Sequence, residues 1–141
     1  MGTLKSVLPA TIKYARILIA IQIVRFIGLA LIPGLQSGAL PATFVIPATV
    51  GDSLTAITAP LVAFALGRGG VKTWGVAIVW NALGLADLLN AVSLGSLTGS
   101  TAYLVANDAP ILFGVTFAVV LHIITTILLL RKSTIDYVKA R

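Results

Sequence analysis

The run "ILIAIQIVRFIGLALI", residues 17–32, is apolar apart from Gln22 and one charge, Arg25. Stretches of about 20 apolar residues mark membrane-spanning helices. Such stretches recur along the chain, and four helices are expected at about 14–33, 46–67, 73–95 and 109–131. Of the 141 residues only 10% are charged, against about 25% in a water-soluble domain, so the chain cannot cover a water-facing surface. The fold class predicted is an all-α integral membrane protein, a single antiparallel bundle of four transmembrane helices. The start is not read as a cleavable signal, because the apolar run is long and lacks a small-x-small cleavage site.

Nine of the ten basic residues lie in the two terminal segments or the second connection, at or beyond the ends of the spans. Lys5, Lys13 and Arg16 precede or open the first, Arg68 and Lys72 flank the second connection, and Arg131, Lys132, Lys139 and Arg141 follow the fourth. The first and third connections carry none. The positive-inside rule then puts both termini in the cytoplasm, in a multi-pass protein of the cell membrane. The net charge of +6 is read as a lipid-surface signature, because it is dispersed among loops. No nucleic-acid partner is expected.

Arg25 is the tenth cation. A charge at that depth costs about 2.5–3.5 kcal/mol on insertion scales, so it needs a partner or a hydrated site. Depth can be counted from the basic markers. At 1.5 Å per residue, Arg25, Asn81 and His122 lie about 13 Å from the inner boundary, and Asp52 and Asp87 about 22–24 Å. Two polar layers are predicted, about 10 Å apart. An Arg side chain reaches about 6–7 Å, so pairing of Arg25 with Asp52 or Asp87 is feasible. The two carboxylates would repel if close, unless Arg25 lies between them. These five residues form the expected intramembrane site, with Gln22, Thr55 and Asn90 as secondary members. Asn81, Gly84, Asp87 and Asn90 follow an i, i+3 row. Gly28, Gly51 and Gly84 are read as points of close helix packing. Pro60 should kink its helix and free a carbonyl near Ala56 that Thr58 or a water helps satisfy.

Other chemistry is limited by the residues present. There is no Cys and no Glu; four Asp and one His complete the list of acids and bases near neutrality. A metal site from His122, Asp52 and Asp87 conflicts with their depths, and a bis-His haem lacks its second His. No metal and no cofactor is expected. The string Gly-Asp-Ser-Leu at residues 51–54 also names a group of serine esterases. Those enzymes need a late Asp-x-x-His, which this chain lacks, and Ser53 and His122 differ in depth. No catalytic residue is assigned.

The chain resembles uncharacterised small four-span membrane proteins of bacteria and archaea. The likeness rests on Arg25, then Gly38, Leu40, Pro41, Phe44, Pro47, Ala48, Gly51 and Asp52. It continues with Ala59-Pro60, with Trp80, Asn81, Gly84, Asp87 and Leu88, and with His122. Relatives carry extra prolines ahead of the His; here only Pro110 is present, which implies a straighter fourth helix. The resemblance implies no activity. Three functions compete: binding or moving a small solute, ion or proton as a homo-oligomer; an accessory subunit of a larger membrane complex; and an enzyme acting on a lipid or quinone.

Overall fold

The computed structural model describes residues 8–141, so the expectation placed on Lys5 lies outside it. It is all-helical, with no strand among the described residues. The helices are α1 (Ala10–Gln36), α2 (Ala42–Arg68), α3 (Val71–Leu97), α4 (Ser100–Asn107), α5 (Ala109–Leu130) and α6 (Lys132–Lys139). Helices α1, α2, α3 and α5 are long and apolar enough to cross a membrane.

These four form a ring in which α1 contacts α2, α2 contacts α3, α3 contacts α5 and α5 contacts α1. Consecutive long helices run antiparallel. The start of α1 (Ile12, Ala15, Ile19), the end of α2 (Ala63, Leu66), Ala77 of α3 and Leu129 of α5 share one apolar cluster. The end of α1 (Leu31), the start of α2 (Phe44, Val45, Ala48), Leu104 of α4 and Ile111 of α5 share another. The first cluster sits at the end of the bundle that carries the termini, here called the basic end; the second sits at the far end. Buried polar residues, among them Gln22, Arg25, Asp52, Thr55, Asn81 and His122, belong to neither cluster. Their places in sequence set them between the two, as a polar belt.

The outer surface is apolar. Leu54, Leu61, Leu83, Phe113 and many others point outward on the long helices. An apolar exterior around a polar belt reverses the arrangement of a water-soluble bundle, and it suits lipid.

The local winding of α1 matters most for the site. Residues Gln22–Leu31 form a 3-10 helix, with an α-helix on either side. A 3-10 helix has three residues per turn, so residues at i and i+3 eclipse. Gln22, Arg25, Gly28 and Leu31 therefore fall on one face, and all four are buried. On α3 the same spacing has the opposite result. An α-helix turns about 100° per residue, so each i+3 step drifts about 60°. Asn81 and Gly84 are buried, Asp87 is half-buried, and Asn90, nine residues from Asn81, is exposed on the other side.

Other departures from the sequence reading have simple causes. Helix α2 begins at Ala42 because Pro41, in extended backbone, serves as its N-cap. It continues through Pro47 and Pro60 to Arg68. The Thr58 hydroxyl donates to the carbonyl of Leu54 at 2.6 Å and contacts that of Thr55, rather than that of Ala56. The turn to α3 uses Gly69 and Gly70, both at positive φ, where other residues would be strained. The connection after α3 is helical: α4 places Leu104 into the far-end cluster. The segment after Arg131 is also helical. In α6, Thr134, Tyr137 and Val138 are buried against the bundle, and Thr134 bonds Thr11 and the Leu128 carbonyl, each at 2.8 Å.

Candidate functional site: an arginine between two aspartates

Arg25 projects from the 3-10 face of α1 and is 2% exposed. Its Nε donates to Asp52 Oδ1 of α2 at 2.6 Å. Its Nη2 is ion-paired with Asp52 and with Asp87 Oδ2 of α3. Its Nη1 donates to the Thr55 hydroxyl and to the Gly84 carbonyl, each at 3.2 Å. A guanidinium carries five N–H donors in a fixed fork, and all three nitrogens are engaged here. One side chain of α1 thus binds α2 and, across the ring, α3.

The two predicted layers come together. The 3-10 winding rises about 2.0 Å per residue, against 1.5 Å in an α-helix, and lifts Arg25 above the depth counted for it. That lift is only about 2 Å over Gln22–Arg25, and the long Arg25 side chain and the aspartate side chains reaching toward it close the rest. A shared cation between the carboxylates lets them approach. The group still holds two carboxylates against one guanidinium.

Three glycines make room for this cluster. A Cβ at Gly28 of α1 would lie 2.8 Å from Asp52 Cβ and 2.9 Å from its Cγ, and would overlap its Oδ2. A Cβ at Gly51 of α2 would overlap the carboxylate of Asp87. A Cβ at Gly84 of α3 would lie 2.5 Å from His122 Cε1 and 2.8 Å from its Nε2. Each glycine seats a polar side chain from the next long helix round the ring. Their role is more specific than close helix approach.

Below the ion pairs, His122 of α5 bonds Asn81 of α3. Asn81 Nδ2 donates to the His122 carbonyl at 3.0 Å and to Thr126 Oγ1 at 2.7 Å. That fixes the amide, with Oδ1 facing His122 Nδ1 at 2.9 Å. In the neutral ring Nδ1 therefore carries the proton and Nε2 presents a lone pair. The Nε2 edge lies beside Gly84, whose Cβ position is also 3.4 Å from Arg25 Nη1. Trp80 stands 5.9 Å from the His122 ring, tilted by 42°, and its Nε1 donates to Thr58 Oγ1 at 2.8 Å.

The two carboxylates face different spaces. Asp52 lies at one edge of a cavity of about 270 Å³ in the far half of the bundle, lined by Ile27, Leu31, Phe44, Leu88, Leu104 and Ile111 among others. Asp87 borders an open groove between α2 and α3, with Gly51, Leu54, Trp80 and Leu83. No cluster of three or more His, Cys, Asp or Glu able to hold a metal occurs among the described residues.

Of the residues singled out from sequence, Arg25, Asp52, Asp87 and Thr55 meet directly, and Asn81 and His122 form an adjoining pair. Gln22 is buried one 3-10 turn below Arg25, without a protein partner among the described residues. Asn90 is exposed and does not join them. Sequence reasoning missed the Gly84 carbonyl, for which a backbone acceptor leaves no residue signature. It also passed over Trp80 and Thr58 as a linked pair.

A family model, domain of unknown function (DUF8737), matches residues 6–132. Neither a curated protein nor a solved structure matches the chain.

Proposed function

The chain belongs to the DUF8737 family, and we propose that it is a multi-pass protein of the cell membrane that binds a small cationic solute in the cavity beside Asp52. The observation that carries this is the charge count of the belt. Arg25 supplies one positive charge for two carboxylates, so the second is balanced by a proton or by a bound cation, and the cavity beside Asp52 leaves room for the cation. Asp52 meets an otherwise largely apolar cavity, so the fitting ligand has an apolar body and a positive head. A volume of about 270 Å³ lies just below the usual range for ligand pockets, about 300–1,000 Å³, which limits the ligand to a small amine.

Movement of such a solute across the bilayer would use a homo-oligomer, because four helices barely enclose a path, and a path between protomers is roomier. Both termini and the α2–α3 turn face the cytoplasm in this reading. The concentration of Lys13, Arg16, Arg68, Lys72, Arg131 and Lys132 at one end supports it. The chain has no native cysteine, so single cysteines report topology cleanly. A cysteine at Ser133 is expected to resist a membrane-impermeant maleimide in intact cells and to react after lysis. One at Ser37 is expected to react in both. The reverse pattern would overturn the orientation.

Binding is tested by calorimetry on the purified chain with phenethylammonium and its uncharged counterpart 2-phenylethanol. The ammonium is expected to bind about tenfold to a hundredfold more tightly, and Asp52→Asn to remove that preference, since a charge-assisted hydrogen bond contributes about 1.5–3 kcal/mol. Equal affinity for both ligands, or an unchanged preference in Asp52→Asn, would sink the proposal. The accessory-subunit reading would then gain ground, because Arg25 already spends its nitrogens on holding three helices together. Stoichiometric co-purification with other membrane subunits at native expression level would support it.

A further inference from the structure

Four polar side-chain atoms of the belt are buried with no hydrogen-bond partner among the described residues: Gln22 Nε2 and Oε1, His122 Nε2 and Thr125 Oγ1. All three residues are fully buried. An unpaired buried polar group is costly, and in a membrane-embedded bundle no bulk water relieves it. Four such atoms together call for one explanation.

They sit together. Arg25 of α1 and His122 of α5 converge on Gly84. Gln22 precedes Arg25 by one 3-10 turn, and Thr125 follows His122 by about one turn of α-helix. Helices α1 and α5 are antiparallel and in contact, so both residues lie one step toward the basic end at the same level. The next buried residues on those faces are Ile19 and Leu129, which belong to the basic-end apolar cluster. The atoms therefore lie between a roof of Arg25, His122 and Gly84 and a floor of Ile19 and Leu129.

We infer that Gln22, His122 and Thr125 enclose an internal water site, sealed on the basic side by the Ile19–Leu129 floor. The chemistry of the atoms selects the ligand. The Gln22 amide nitrogen only donates, its oxygen and the His122 Nε2 lone pair only accept, and the Thr125 hydroxyl does both. A metal cation would need acceptors alone, and an anion donors alone. A water both donates and accepts, and a buried water makes about three hydrogen bonds to groups that are otherwise unpaired. The site lies on the opposite side of Arg25 from the cavity beside Asp52. The guanidinium thus separates a largely apolar chamber from a hydrated one. This inference stands whether or not the cavity binds an amine.

The test is Thr125→Val, which keeps the shape and β-branching of the side chain and removes only the hydroxyl. With water present, the substitution strips a hydrogen bond from the water, and the purified full chain is expected to melt about 3–6 °C lower. Gln22→Met is expected to act in the same direction. In a dry core both substitutions remove an unpaired polar group, and an unchanged or higher melting temperature would overturn the proposal. Should a variant fail to fold, the wild-type chain decides. Water-edited solid-state NMR in lipid bilayers is expected to transfer magnetisation from water protons to the His122 ring nitrogens. A ring as dark as the side chains of the floor would overturn it equally.

Discussion

Arg25→Met is expected to fold but to melt far below the wild type in mild detergent. The substitution keeps a long apolar stem but removes the cation that links α1 to α2 and α3. Asp52 and Asp87 would then share one neighbourhood with nothing between them. Breaking a buried pair from one side costs about 3–5 kcal/mol, because the abandoned charge stays buried. Here two charges are abandoned, while whole domains have about 5–15 kcal/mol of stability. Arg25→Lys is expected to fall between wild type and Arg25→Met. A lysine keeps the charge but cannot fork to Asp52, Asp87, Thr55 and the Gly84 carbonyl together. Size-exclusion profiles and melting temperatures of the three proteins check the order. A monodisperse Arg25→Met chain with wild-type melting would contradict it.

The second large effect is expected at Gly51. An alanine there puts a methyl group where the Asp87 carboxylate sits. Overpacking alone costs about 1–3 kcal/mol. The carboxylate cannot yield without leaving Arg25, so loss of the ion pair adds to that cost. Gly28→Ala displaces Asp52 by the same logic. Gly84→Ala pushes on the His122 ring, whose Nδ1 is held by Asn81. Gly75 on α3 provides the control, since a Cβ there meets nothing within 4 Å. Gly75→Ala is expected to stabilise by about 0.5–1 kcal/mol through helix propensity. Thermal melting of the four variants should separate them by sign. A Gly51→Ala chain as stable as Gly75→Ala would show that Asp87 is not seated over Gly51.

The sequence was most legible where one residue carries one strong signal. Long apolar runs locate the four long helices. A lone arginine in such a run asks for an acid, and counting depth brings Asp52 and Asp87 within its feasible reach. The depth count also assumed α-helical rise throughout, and so left Arg25 too low. The 3-10 segment hides in plain letters: Gln22, Arg25, Gly28 and Leu31 are evenly spaced by three, yet an i+3 row on an α-helix looks the same on paper. On α3 that row does drift, which is why Asn90 ends outside while Asn81 stays in. Glycines were readable as sites of close approach, but which side chain fills each gap depends on the ring order of helices, a property of packing rather than of spacing. The helices α4 and α6 were passed over because they are short and take their stability from burial of a few residues, such as Leu104 and Tyr137.

At the centre of this account is the sharing of Arg25 between two carboxylates. A double-mutant cycle tests it most directly. Arg25→Met is combined in turn with Asp52→Asn and with Asp87→Asn, and unfolding free energies are compared with those of the single variants. Neutralising either aspartate is expected to relieve part of the damage of Arg25→Met. The coupling should exceed about 1 kcal/mol for both aspartates, as it does for residues in one ion-pair network. Single-variant effects that add to within about 0.5 kcal/mol would mean that the groups do not interact. The arginine would then be held by something other than Asp52 and Asp87.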